Sequence, residues 1–512
     1  MTDAKPIDRL RRWAPLAVLV VVSFAYRVPV LINAPGTNSD AAVVGLQAMH
    51  ILRGEHAVFL WGSAYQTSVD SYVAAGFFAL LGPTPFALML SALSLHVALT
   101  LFAWATVRPH VACGWGALAL VGPLVLAPAS VHSYALYPPR QAALTLAFAA
   151  IFAAERAHHA GGNPRAAIAR SAAAGALALL AVYADPYATL FVPAAALLVV
   201  FAKGWPRRAL GFAGGALAGA IPVLLRMRHP AAKHGVFSMT TDVVGHNAKL
   251  LWDPCGPWAI GAKAWAPTHM MDWAPWDAPW PIALVQWLGA AAFFVALGAS
   301  IALVLLRGTA PGARRVGAVG LYVALATVAG FLVSQMVMDH FSMRYLAAVV
   351  LAAPLFAAPL AARLGAKRFA LLFSPWIAAC AIGGWMGYAP FVRGPLPVRH
   401  PDGTGAADED LARALSDRGV TYAMADYWAA YRLTLSVRER VIAVPIHDTQ
   451  DRYRPYRDAF DRADRIAYFY DPLRSFEDER AMIASLEADP HFTVGERIDT
   501  GAFRVVLLDR RR

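Results

Sequence analysis

The chain has 512 residues, of which 58% are hydrophobic and only 15% are charged. Soluble proteins carry roughly a quarter charged residues, so this composition excludes an ordinary soluble protein and predicts a membrane protein. Three scattered cysteines provide neither a disulfide framework nor a cysteine-based metal site. The net charge of +12 comes from bases in short loops between apolar segments, which argues against nucleic acid as a partner.

Apolar segments near the length needed to cross a bilayer, about 20 residues, recur along the chain. The first follows a basic N-terminus and lacks a small-residue cleavage pattern, so we interpret it as an uncleaved anchor. The sequence predicts a polytopic α-helical membrane protein with about eleven transmembrane helices, at residues 13–33, 85–107, 111–128, 140–157, 168–184, 187–202, 209–226, 281–306, 316–335, 345–362 and 368–388.

Lysine and arginine cluster in alternate connections between these segments, as the positive-inside rule requires. The alternation predicts a multi-pass protein of the bacterial inner membrane with a cytoplasmic N-terminus and a periplasmic C-terminal domain. Residues 402–512 hold 21 acids and 17 bases, whereas the rest of the chain holds 12 acids and 28 bases. Strand-like and helix-like segments alternate in this tail, which indicates a small soluble α/β domain. We therefore divide the chain into residues 1–395 and 396–512, and expect the second part to be accessory.

The first outer loop, residues 34–84, contains more structure than a connection needs. Ser39 is a good N-cap, and Asp40 lies in the first turn of a helix whose apolar stripe suits the membrane surface. A second short helix is predicted from Asp70 to Leu81. Taken alone, Asp40 would be explained as a carboxylate that favours a helix start.

The first loop carries a recognisable order of motifs. One span is followed by Ser-Asp-Ala-Ala-x-x-Gly-Leu-x-Ala-x-x-Ile-Leu-x-Gly-Glu from Ser39, then by Trp-Gly-x-x-Tyr ending at Tyr65, and then by the second helix. This order resembles the GT-C class of membrane glycosyltransferases. It is most similar to the protein-mannosyltransferase-like branch, which includes the lipid A aminoarabinose transferase and the rhizobial core-sugar transferases. The resemblance is strongest over residues 13–107.

The resemblance implies an enzyme that moves a hexosyl or pentosyl group from a polyprenyl-phosphate donor to a lipid, glycan or protein acceptor on the outer face. The donor would be embedded among the membrane lipids. In the family, an acidic residue at the start of the first loop helix is the candidate base or metal-side carboxylate, and Asp40 occupies that position. Many members have Asp-Glu there, whereas this chain has Asp40-Ala41. No cofactor is firmly implied. A Mg²⁺ or Mn²⁺ site would have to be assembled from several loops, with Asp40, Asp185 and Asp339 as candidate ligands.

The leaving phosphate of such a donor needs cations, and the planar guanidinium of arginine suits it. Arg140 and Arg344 lie at outer helix mouths, and the Arg344-Tyr345 pair resembles the family's phosphate-facing segment. The alternative for each arginine is an anchor that reaches to the interface. Further substrate-binding candidates are Tyr65, Asp185 and His340, although Asp185 before proline also suits a simple turn.

The largest outer loop, about 227–280, is rich in tryptophan. One interpretation is an interfacial aromatic belt, and another is a lid over a lipid-linked sugar. The six tryptophans are Trp252, Trp258, Trp265, Trp273, Trp276 and Trp280.

Two other functions remain open. A transporter or flippase of a lipid-linked saccharide would predict internal repeats and charged residues at mid-membrane, and the sequence displays neither. A non-catalytic membrane protein that presents its outer domain for assembly is also compatible with the single Asp40.

Overall fold

The computed structural model describes residues 6–159, 163–201, 204–230, 237–267, 273–307, 309–475 and 478–511. The part that precedes the C-terminal domain is almost entirely helical. Its α-helices are α1 (Pro6–Ala25), α2 (Val28–Leu31), α3 (Ser39–Leu52), α4 (Val69–Leu81), α5 (Pro85–Val107), α6 (Gly114–Val125), α7 (Ala129–Leu136), α8 (Gln141–His158), α9 (Pro164–Ala184), α10 (Val192–Val200), α11 (Trp205–Met227), α12 (Thr241–Leu250), α13 (Gly256–Ala259), α14 (Trp280–Leu305), α15 (Pro311–Val333), α16 (Ala347–Leu351), α17 (Ala353–Phe356), α18 (Ala358–Leu364) and α19 (Ala366–Met386).

Each predicted span coincides with a helical segment, which confirms a polytopic helical membrane protein. Among the described residues, seven helical segments are long and apolar enough to cross a bilayer. The predicted spans at 13–33, 111–128 and 187–202 contain shorter apolar helices, and the one at 140–157 is the 18-residue α8. The seven long segments are Pro85–His110, Pro164–Ala184, Trp205–Met227, Trp280–Leu305, Pro311–Val333, His340–Leu364 and Ala366–Met386.

Small residues let neighbouring helices approach closely, as membrane helices do when apolar burial cannot drive their association. The clearest case is the packing of α9 on α11. A Cβ atom at Gly215 would lie 1.8 Å from the Ala172 carbonyl oxygen, and one at Gly175 would lie 2.1 Å from the Phe212 carbonyl oxygen. The glycines therefore set how near the two backbones can come.

The C-terminal domain is a five-stranded sheet flanked by helices, which agrees with the predicted α/β class. Its helices are α20 (Ala406–Ser416), α21 (Tyr427–Ser436), α22 (Arg454–Arg462) and α23 (Glu479–Ala488); its strands are β5 (Tyr422–Ala425), β6 (Ile442–Pro445), β7 (Arg465–Tyr470), β8 (Phe492–Asp499) and β9 (Arg504–Arg510). The strand order is β6-β5-β7-β9-β8, with β6, β5 and β7 parallel and β9 antiparallel to both of its neighbours. Shorter hairpins pair β1 (Trp265–Pro267) with β2 (Trp273–Pro275), and β3 (Val392–Arg393) with β4 (Leu396–Pro397).

The C-terminal domain packs on the first outer loop. Helix α21 lies against α3, and a Cβ atom at Gly45 would come within 2.9 Å of the Leu435 side chain. One apolar cluster joins α3 and α4 to α21, α22 and the sheet. The burial of α3 extends beyond the predicted apolar stripe: residues 41–51 are all buried, because the domain packs on the helix. The position of α3 at the membrane surface stays a prediction.

Candidate active site

Asp40 lies in the first turn of α3, as predicted, and its side chain is 51% exposed. The helix is capped one residue earlier than expected, because the Asn38 side chain accepts a hydrogen bond from the Ala41 amide at 2.9 Å. Ser39 instead joins the two parts of the protein. Its hydroxyl donates to the Tyr427 carbonyl at 2.5 Å, which fixes the start of α3 against α21.

Two side chains of the C-terminal domain contact Asp40. The Tyr427 hydroxyl donates a hydrogen bond to Asp40 Oδ1, and Arg452 Nη2 lies 3.6 Å from the same oxygen. Arg452 also donates from Nε to the Tyr427 hydroxyl at 3.0 Å, with its guanidinium 5.0 Å from the ring centroid. Burial raises the pKa of Tyr427 well above its usual value, and the charge of Asp40 raises it further, so the phenol stays protonated and donates. The domain expected to be accessory thus supplies two neighbours of the candidate base.

Arg140 and Asp185 form a buried ion pair. Arg140 Nε donates to Asp185 Oδ2 at 2.6 Å, and the Gln66 side-chain amide donates to the same oxygen at 2.8 Å. Asp185 Oδ1 accepts from the Tyr187 amide at 2.8 Å and so caps the short helix Pro186–Phe191. One Asp185 oxygen therefore stabilises the turn, as the sequence suggested, and the other holds an arginine. Its role in substrate binding stays a prediction.

The backbone of Arg140 adopts a conformation that only a strong local constraint maintains. Its φ angle of 116° is rare for a residue with a side chain, and such conformations cost about 1–3 kcal/mol. The Asp70 carboxylate supplies the constraint by accepting the Arg140 amide at 3.1 Å and the Ala142 amide at 3.0 Å. Asp70 was expected only to begin the second loop helix; its contact with the start of α8 positions Arg140.

Two guanidinium groups lie near the Tyr345 ring. The Arg140 guanidinium carbon is 5.8 Å from the Tyr345 ring centroid, and that of Arg344 is 5.1 Å from it. Arg344 Nη2 also donates to the Tyr345 hydroxyl at 3.4 Å. The Tyr187 hydroxyl donates to the Tyr345 carbonyl at 2.9 Å, which ties this segment to the Asp185 turn. Cations that face one ring are attracted by its quadrupole, so the ring brings two positive charges together.

The charges of Arg140, Asp185 and Asp40 all act on the Tyr65 hydroxyl. Burial raises the pKa of this hydroxyl; the charge of Arg140 acts in the opposite direction, and those of Asp185 and Asp40 raise it further. The Tyr65 hydroxyl therefore senses both charged ends of the site. We call these residues the outer group; its members are Asp40, Tyr65, Arg140, Asp185, Arg344 and Tyr345.

His340 and Asp339 lie at the other end of the short helix His340–Leu346, which carries Arg344. The His340 ring stacks on Trp265 at 4.7 Å and contacts Phe341 at 4.2 Å between centroids. The Asp339 side chain and Ser342 form a capping box at the helix start. The structure therefore places both residues in the aromatic cluster of the tryptophan-rich loop.

The tryptophan-rich loop divides into two kinds of residue. Trp258 is buried and packs against Trp265 and Trp273, whereas Trp252 and Trp280 are exposed. The exposed pair suits an interfacial belt, and the packed set forms a folded aromatic cluster. A role of the loop as a lid stays a prediction. Asp272 of this loop lies outside the described residues.

The three candidate metal ligands do not share one site. Asp185 already uses both oxygens, for Arg140 and Gln66 on one side and the Tyr187 amide on the other. In the described part of the chain, one set of three ligating side chains has its ligand atoms within 4.8 Å of one another, and it contains none of these aspartates. The residues present therefore do not fit a Mg²⁺ or Mn²⁺ site built on Asp40, Asp185 and Asp339.

Tyr427, Arg452, Gln66 and Asp70 were missed from the sequence. Tyr427 and Arg452 lie in the C-terminal domain, and no motif links them to a loop almost 400 residues earlier. Asp70 had a local explanation as a helix-start acid, which concealed its contact with Arg140. A pattern of paired substitutions between the first loop and α21 is the kind of signal that would have revealed these contacts.

No family model matches the chain, and no curated protein matches it. Two solved structures are similar to it over most of its length. The crystal structure of ArnT from Cupriavidus metallidurans in the apo state covers 96% of this chain and 97% of its own, with a TM-score of 0.48 and 12% identity. The archaeal oligosaccharyltransferase AglB from Archaeoglobus fulgidus, in complex with an inhibitory peptide and a dolichol-phosphate, covers 90% of this chain and 70% of its own, with a TM-score of 0.46 and 12% identity.

Because both TM-scores lie below 0.5, the roles of individual residues rest on the contacts of this chain alone.

Proposed function

We propose that the protein is a membrane glycosyltransferase that moves a sugar from a polyprenyl-phosphate donor to an acceptor hydroxyl on the outer face of the bacterial inner membrane. The acceptor is a lipid, a glycan or a protein. The observation that carries the proposal is the outer group, in which the half-exposed Asp40 carboxylate is held by Tyr427 and two guanidinium groups lie 5.8 and 5.1 Å from the Tyr345 ring centroid.

The arginines would act on the donor. When the bond between the anomeric carbon and the phosphate oxygen breaks, negative charge develops on the departing polyprenyl phosphate. Arg140 is already oriented by Asp185 at 2.6 Å and by its constrained backbone, so little reorganisation is needed as that charge appears. Arg344 is exposed and can reach a phosphate bound beside Tyr345.

Asp40 would act on the acceptor. The acceptor oxygen forms a bond to the anomeric carbon and gives its proton to the Asp40 carboxylate, which acts as the general base. The side chain is half exposed, so an acceptor can approach it, while Tyr427 and Arg452 fix its orientation through Oδ1. We propose that Tyr65 contacts the sugar, because its hydroxyl senses both Asp40 and Arg140. We propose that His340 and the packed tryptophans cover the donor side.

The test is a transfer assay with the full chain in lipid nanodiscs. Polyprenyl-phosphate hexoses and pentoses, each radiolabelled in the sugar, are incubated with an envelope extract separated afterwards into lipid, glycan and protein fractions. The wild type should move label from at least one donor into one fraction. Asp40→Asn should lower the rate about 10²–10⁴-fold, the usual contribution of a positioned general base.

Asp410→Asn is the matched control, because Asp410 is an exposed carboxylate of the same outer domain, 3.6 Å from the exposed Arg413. It should transfer like the wild type. Transfer by Asp40→Asn at the wild-type rate would remove the base assignment. Label that stays in every donor, as in protein-free nanodiscs, would contradict the proposed function.

A further inference from the structure

The set of three ligating side chains noted above lies at the membrane face that the arginine distribution predicts to be cytoplasmic. His110 follows α5, Glu155 lies in the last turn of α8, and His159 follows that helix. The Nε2 atoms of His110 and His159 are 2.9 and 3.4 Å from Glu155 Oε1. The three ligand atoms lie within 4.8 Å of one another. We call these residues the inner group.

Glu155 has an unusual environment for a buried carboxylate. Its side chain is 1% exposed, and Oε2 has no hydrogen-bond partner among the described residues. Both imidazoles approach the other oxygen. A buried carboxylate oxygen without a partner is unfavourable, and it is commonly satisfied by a proton, a water or a cation.

Arg315 gives the competing explanation, in which Glu155 only forms an ion pair between helices. Its Nη2 atom is 3.6 Å from Glu155 Oε1, and its Nε is itself buried without a partner in the described residues. The guanidinium is therefore not docked on the carboxylate as a bidentate pair would be, and Oε2 stays unsatisfied. The positive charge of Arg315 would lower the affinity of the site for a metal cation, but the guanidinium does not fill the position of that cation.

We propose that His110, Glu155 and His159 bind a divalent transition metal of the zinc type. Two imidazole nitrogens and one carboxylate oxygen form a recurrent ligand set for Zn²⁺, with one coordination position left for water. His159 is 38% exposed, so a metal can enter from solvent. The site would join the α5–α6 connection to the end of α8, on the face opposite to the outer group and independently of the proposed transfer reaction.

The experiment uses full-length protein purified without a polyhistidine tag, loaded with Zn²⁺ and freed of loose metal by gel filtration. Bound zinc is measured by mass spectrometry, and Co²⁺ substitution gives an absorption spectrum that reports tetrahedral ligation. We expect one metal per chain in the wild type and at least a tenfold loss of affinity in His159→Ala. His158→Gln is the control, because His158 donates to the Leu198 carbonyl at 2.6 Å instead.

Gly312→Ala gives a second variant that removes no ligand. An added Cβ atom there would lie 2.7 Å from the His110 ring, and a shift of that side chain relieves the clash. We expect about a tenfold loss of zinc affinity, because displaced ligand geometry typically costs 10–100-fold. Equal zinc content in wild type and His159→Ala, or a Co²⁺ spectrum that does not change between them, would overturn the proposal. So would wild-type protein that retains no zinc.

Discussion

Two buried carboxylates, Asp185 of the outer group and Glu155 of the inner group, differ in how their oxygens are engaged. Asp185 has both oxygens engaged, one by Arg140 and Gln66 and the other by the Tyr187 amide. Glu155 receives two imidazoles on one oxygen and none of the described groups on the other. A carboxylate with hydrogen bonds on both oxygens holds its partners in place. One with a free oxygen can accept a ligand from outside the chain.

The largest expected effect comes from removing the charge of Asp185. Asp185→Asn leaves Arg140 buried without its partner, which should lower the free energy of unfolding by about 3–5 kcal/mol. Thermal unfolding in nanodiscs, followed by tryptophan fluorescence, measures this. The matched control is Asp253→Asn, since Asp253 pairs with Lys263 at 2.8 Å but both are 54% exposed. That change should cost about 0–1 kcal/mol. Equal losses of unfolding free energy in the two variants would mean that the Arg140–Asp185 pair does not stabilise the fold.

A smaller effect is expected where the C-terminal domain contacts Asp40. Tyr427→Phe removes the hydrogen bond to the Asp40 carboxylate and the one accepted from Arg452, and should cost about 1.5–3 kcal/mol of stability. It should also lower the transfer rate, because Asp40 loses the group that orients Oδ1. The control is Tyr453→Phe, which removes a hydrogen bond of the same kind, to the exposed Glu55 at 2.9 Å. Similar transfer rates in the two variants would show that the domain does not orient Asp40.

The smallest expected effect is a pH dependence at the same interface. Burial opposes ionisation of Glu439, but hydrogen bonds from His50, Tyr456 and Arg53 lower its pKa to about 2. Burial lowers the pKa of His50, but the bonds to Glu439 and Glu55 raise it overall above 6.5. The Glu439 contribution to stability is therefore present above about pH 4.5 and constant at neutral pH. The His50 contribution is present below pH 6.5 and is lost as the pH rises through the folded pKa.

The unfolding temperature of the wild type should therefore fall as the pH rises above 6.5, and His50→Gln should flatten this decline. His56→Gln is the control, because His56 is exposed and contacts Tyr72 by stacking and by a hydrogen bond at 3.0 Å, away from Glu439. A wild-type unfolding temperature that stays constant from pH 6 to pH 9 would contradict the role given to His50.

Local signals in the sequence predicted part of this structure. Apolar runs located a helical segment at each predicted span, because a bilayer imposes its thickness directly on sequence. Helices α7, α12 and α13 were not predicted. Alternating strand-like and helix-like segments predicted the class of the C-terminal domain. Asp40 was found through its position in a loop motif. These signals are all local.

The contacts that complete each group are not local. Tyr427 and Asp40 are 387 positions apart, and their contact depends on how the C-terminal domain packs on α3. The burial of α3 has the same origin. In the inner group, Glu155 and His159 have a helical spacing of four residues, which was visible. His110 joins them only because α5 and α8 pack side by side.

The most direct test of the outer group is the affinity for polyprenyl phosphate, the product left after sugar transfer, measured with the full chain in nanodiscs. Arg344→Gln should weaken binding about 10–100-fold, the equivalent of one charge-assisted hydrogen-bond set. Asp40→Asn should bind the lipid as well as the wild type, because it removes the base and leaves both arginines. Unchanged binding by Arg344→Gln, or an equal loss in Asp40→Asn, would contradict the division of the outer group into phosphate-binding arginines and a separate base.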